Sequence, residues 1–155
     1  MHVGLGVVKI IHDLATAVWV GGLIVLGAVV VPATRASMGK SPQARTVLDA
    51  IQKRLTSFVY TSMVLLVASG LLLARHSPAF RGFFSFQNPY SALLAVKHLL
   101  VVLMIAIGLF RSLVLVRPRA PAGREPLKMG LLYVNMTLGL FVLILSGLGA
   151  ALAGL

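Results

Sequence analysis

Two histidines, His12 and His98, lie in stretches apolar enough to cross a membrane: VVKIIHDLATAVWVGGL and SALLAVKHLLVVLMIAIGLF. An ionisable side chain is expensive to hold at such a position, and by default it marks a functional site. Imidazoles from two different helices can ligate a haem b, one ring nitrogen on each side of the iron. They can equally begin a copper site that recruits further donors. The third alternative has no ligand, each ring being hydrogen-bonded to backbone or to a carboxylate. His76, at the end of another apolar stretch, is a third imidazole on the same side but nearer water.

Charges crowd the two histidines. Lys9 and Asp13 flank His12, and Lys97 precedes His98. Asp13 is the one acid in any apolar stretch, and an unpaired buried carboxylate is costly. Lys9 stands four residues from it on the same helix face, and Lys97 lies at matching depth. Ion pairing is the plain reading of these three. The sharper one has Asp13 orient His12 from another helix, or Lys97 bind an anionic group such as a haem propionate. Trp19, seven residues after His12, projects from about the same face and could pack on a cofactor or fill core. Met63, Met104 and Met136 stand nine, seven and eight residues from the basic residues Arg54, Arg111 and Lys128. Three thioethers at a common depth suit Cu(I) below an imidazole layer, although methionine is also ordinary core filler.

The elements that position these residues follow from composition. The chain has 155 residues, 59% hydrophobic and 11% charged, where a soluble chain is about a quarter charged. Mean hydropathy is +0.99. Apolar runs of roughly 18 residues read as membrane-spanning helices, and their continuity excludes alternating barrel strands. The expected fold is all-α: an antiparallel bundle of four transmembrane helices in one domain, over about 3–31, 55–74, 91–116 and 128–153. The first helix is expected to stop at Pro32. A polar loop follows, with a short interfacial helix from Gln43. Phe80, Phe83, Phe84, Phe86 and Tyr90 lie in the 75–90 connection, either at the membrane interface or capping a cofactor. Gly4, Gly6, Gly21, Gly22, Gly70, Gly139, Gly147 and Gly149 allow close helix approach in lipid.

The net charge of +11 is concentrated in the 32–54 and 111–128 connections, which share one side of a four-span protein. The positive-inside rule puts them in the cytoplasm and both termini outside. Depths counted at about 1.5 Å per residue then bring His12 and His98 to the outer leaflet together. Anionic headgroups are a sufficient partner for the basic loops, and no nucleic-acid-binding surface is expected. There is no cysteine, which removes thiolate chemistry and disulfides. The first span reads as a retained anchor, not a removed signal peptide. HExxH, phosphate-loop and Ser-His-Asp patterns are missing, Asp49 and Glu125 read as loop residues, and hydrolysis is not expected.

The stretch IHDLATAVWVGGLIVLGAVVVPATR, with KRLTSFVYTSMVLLVASGLLLA and NPYSALLAVKHLLVVLMIAIGLFR, resembles the CopD family of copper-resistance membrane proteins over about residues 5–116. The resemblance implies copper handling in a bacterial plasma (inner) membrane with a periplasmic copper or redox partner. VKIIHDLATAVWVGGL also resembles, more distantly, HemJ-type protoporphyrinogen oxidases. Those have a first-helix histidine and a third-helix lysine, here His12 and Lys97. The expected function is therefore binding of copper or haem b at a His12/His98 site, with His76 and the three methionines as further copper donors. A b-type cytochrome exchanging electrons with a quinone or a partner protein is one alternative. A structural subunit of a larger complex is another, and whether the chain is an enzyme or a homo-oligomer stays open.

Overall fold

In the computed structural model the described residues are 2–76, 89–115 and 122–153. Their order is α1 (His2–Ile24), a π-helical segment Val25–Val30, α2 (Val31–Met38), α3 (Pro42–His76), α4 (Pro89–Phe110), a π-helical segment Arg111–Leu115, a short turn Ala122–Arg124 and α5 (Glu125–Ala153). Four helical runs are long and apolar enough to span a bilayer: Val3–Met38, Pro42–His76, Ser91–Leu113 and Glu125–Ala151. The protein is an all-α four-helix bundle and an integral membrane protein. Its helices are apolar nearly all round, as a span between core and lipid must be. Val64, Leu99, Val102 and Ile144 point outward while Trp19, Val20, Met104 and Leu132 are buried.

Two expected loops are helix instead. The first helix does not end at Pro32 but runs on to Met38. Proline has no N–H, and its ring collides with the carbonyl four residues back, here Ala28. Ala28 lies in the π segment, where the wider turn accommodates the ring and the helix continues. The expected polar loop shrinks to the break after Met38. Gly39 has φ +62°, a conformation glycine adopts without strain, and its N–H donates to the Arg35 carbonyl. Ser41 then caps α3, accepting the Ala44 N–H at its Oγ (3.2 Å), with Pro42 at the first helical position. The separate interfacial helix and the second span are thus one 35-residue helix, about 52 Å long against roughly 30 Å of hydrocarbon. Asp49 and Glu125 are accordingly on helices. Phe80, Phe83, Phe84 and Phe86 lie outside the described residues, as does the side chain of Tyr90.

The closest packing is α1 on α3 and α4 on α5, with α1 also against α5; α3 and α4 have little backbone contact. Glycines make these approaches possible. A Cβ on Gly139 of α5 would lie 3.0 Å from Val20 Cγ1 and 3.3 Å from Met104 Cε. One on Gly27 would lie 2.9 Å from Met136 Sδ. At the basic end, Lys128 of α5 is buried and bridges to Asp49 of α3 at 2.5 Å, with Glu125 at 3.8 Å.

Candidate functional site

The loose seam between α3 and α4 opens toward the histidine end of the bundle into a cleft of about 780 Å³. The first span lines it with Lys9, His12, Asp13, Thr16 and Val20, α3 with Leu66, Gly70 and Ala74, α4 with Leu94, Lys97, His98 and Ile105, and α5 with Leu143 and Ser146. His12 and His98, separated by 86 positions, therefore face one space.

Each imidazole is held by a partner that identifies its protonated nitrogen. His12 Nδ1 is 3.0 Å from Ser69 Oγ. That hydroxyl lies 2.6 Å from the Leu65 carbonyl, which can only accept, so the serine proton goes there and the hydroxyl accepts from His12 Nδ1–H. His98 Nδ1 is 2.7 Å from the Leu94 carbonyl and must likewise donate. In the neutral form both rings then carry their lone pair on Nε2, the arrangement a second hydrogen bond imposes on metal-ligating histidine. The His12 ring lies over Gly70, where a Cβ would come within 3.4 Å of its Cε1.

The charges divide unevenly. Lys9 Nζ and Asp13 Oδ2 pair at 2.9 Å, both largely exposed. Lys97, half-buried in the cleft wall, makes no ion pair among the described residues. It is a cation in the wall of a largely apolar cleft.

The other sequence candidates lie elsewhere. His76 is exposed, with Nδ1 donating to the Leu72 carbonyl at 2.8 Å, and does not line the cleft. Trp19 shares a helix face with His12, but seven residues of rise, about 10 Å, carry it down into the closed half of the bundle. There it is 1% exposed and lines a second, smaller chamber. The methionines are packed into glycine notches: Met136 on Gly27, Met63 on Gly108 and Met104 on Gly139. Met63 lines the smaller chamber, and none of the three lines the cleft. The thioethers share a core with Trp19 and Leu132 and are absent from the cleft walls.

Sequence reasoning missed Ser69 and the polar residues of the second chamber, Gln52, Tyr60, Arg111 and Asn135. Ser69 was legible as a hydroxyl in an apolar run directly before Gly70. Gln52 fell in the expected interfacial helix and Arg111 at the end of the expected third span, where it was counted only among the basic flanks, and Asn135 stood unremarked in the fourth span. Comparison of the chain with known protein families, with curated proteins and with solved structures finds no match.

Proposed function

We propose that the chain is a CopD-like membrane redox protein that binds haem b in the cleft, where His12 and His98 would hold it. The observation that carries the reading is the convergence of two imidazoles, both with Nδ1–H committed and the lone pair on Nε2, on one cleft. The cleft volume falls in the range of sites for organic ligands, far above what a single ion needs. Lys97 supplies a positive charge for a propionate, and Gly70 leaves room for the His12 ring. A haem bound there would supply one-electron chemistry. The chain's own part is to fix both imidazoles, hold the carboxylate end and exclude water with apolar walls. Copper fits less well, since the methionine donors are packed into the core away from the imidazoles.

Placed by the positive-inside rule, the cleft faces the outer leaflet of a bacterial plasma membrane. The termini are outside, the basic ends of the helices are cytoplasmic, and a periplasmic redox or copper partner and a quinone are the reaction partners in reach.

The test is a reduced-minus-oxidised absorption spectrum of the purified protein. A b-type α band is expected, lost in both His12→Ala and His98→Ala. Stoichiometric copper without that band would replace haem with copper, and neither cofactor would leave a structural subunit. If one of the two alanine variants keeps the full band, the shared site is wrong. Ser69→Ala should keep the pigment and raise its reduction potential, because the hydroxyl increases the donor strength of His12.

A further inference from the structure

At the basic end, the α3–α4 seam narrows to a half-open chamber of about 60 Å³ lined by Trp19, Leu26, Gln52, Tyr60, Arg111 and Asn135, among others. Gln52 is 4% exposed, Arg111 8% and Asn135 1%, so all three are more than nine-tenths buried. The Arg111 guanidinium donates to Gln52 Oε1 at 3.3 Å. Four further polar atoms have no hydrogen-bond partner among the described residues: Arg111 Nε, Gln52 Nε2, Tyr60 OH and Asn135 Oδ1. All four belong to residues that line this one chamber. Buried polar groups are nearly always paired, so four orphans around one space specify something that pairs them together.

Charge says what it is. The chain contains three carboxylate side chains in all, and each is already engaged: Asp13 with Lys9, and Asp49 and Glu125 with Lys128. None is left for Arg111, whose guanidinium does not deprotonate in proteins and whose burial without a counter-charge is costly. The counter-ion has to come from solution. The orphan set fits it: Arg111 Nε–H, Gln52 Nε2–H and the Tyr60 hydroxyl are donors, and Asn135 Oδ1 accepts from a water hydrating the ion. At about 10–15 Å³ of probe-centre volume per water-sized particle, the chamber holds an ion with a few waters but no lipid headgroup. Both π-helical segments adjoin it, through Leu26 in one and Arg111 and Ser112 in the other, and π turns recur at functional sites.

We propose that this chamber is a binding site for a small monovalent inorganic anion of halide size, held by Arg111, Gln52 and Tyr60. The site is independent of the haem reading and stands or falls separately. The first test uses the full-length protein in detergent, moved from gluconate into bromide at constant ionic strength. Melting temperature should rise with the logarithm of bromide concentration, by roughly 5 °C over a hundredfold range above half-saturation. Sulfate and anionic lipid should give no such rise. Equal responses to bromide, sulfate and gluconate would overturn the site, and a response to anionic lipid alone would assign Arg111 to a headgroup. Arg111→Gln should abolish the bromide dependence; if it folds and keeps the dependence, the ion is elsewhere. Should that variant fail to fold, wild-type crystals soaked in bromide still decide: an anomalous peak within hydrogen-bonding distance of Arg111 Nε is expected, and a chamber without one refutes the proposal.

Discussion

The cleft and the chamber lie on the same seam between α3 and α4, yet they handle polar groups in opposite ways. In the cleft, both histidine Nδ1 atoms have partners on their own or a neighbouring helix, and Lys9 and Asp13 neutralise each other at the rim. In the chamber, a guanidinium, two amides and a phenol crowd together with four atoms unpaired. The cleft is organised to present two nitrogens to something large. The chamber is organised to surround something small. In the closed half, Arg111–Gln52 and Met63 against Gly108 join the two sides of the seam.

The contrast predicts that stability should depend on the chamber and its surrounding core far more than on the cleft rim. The largest effect is expected for Gln52→Leu, which takes from a buried guanidinium its hydrogen bond to Gln52 Oε1: about 2–3 kcal/mol, read as a loss in thermal or denaturant stability. A loss below about 0.5 kcal/mol would mean that the chamber tolerates the loss of a hydrogen bond as readily as the cleft rim. Gly139→Ala follows, at about 1–2 kcal/mol, because its Cβ meets the stiff, branched Val20. Gly27→Ala should cost less, since its obstacle is the flexible Met136; reversal of that order would show that the methionine is held in place. Asp49→Asn should cost about 1 kcal/mol, a modest figure because Asp49 is half exposed even though Lys128 is buried. At the cleft, Lys9→Met should change stability by no more than about 0.3–0.5 kcal/mol. Gly21→Ala, with open space around its Cβ, should be close to neutral.

What could be read without coordinates follows the same division. Four spans were legible because hydropathy is additive along a helix. The shared depth of His12 and His98 was legible because helical rise is constant, and the two do line one cleft. The extent of the first helix was not legible, because Pro32 stops an α-helix and only the π segment before it lets the chain go on. Gln52 looked like interfacial polarity because Asp49, Lys53 and Arg54 surround it in the sequence, and Arg111 because it opens the basic 111–128 connection. Which way a flanking residue turns depends on the neighbouring helix, here α4 against α3. The methionines were at one level as counted, but their direction is set by glycines on other helices, and no spacing within one helix can show that.

The π segment at Val25–Val30 also has a consequence for how the first span must be drawn. A π turn carries one residue more than an α turn, so the helix wheel slips by about 100° across it. Residues before Val25 and after Val30 therefore belong to two different wheels, and a single projection of Val3–Met38 misassigns the faces of one half. Deleting Ala28 would restore a single wheel. The deletion would leave the His12 and Arg35 ends facing as they do now, whereas closing the π turn to an α turn with Ala28 still present would swing one end through more than a quarter turn.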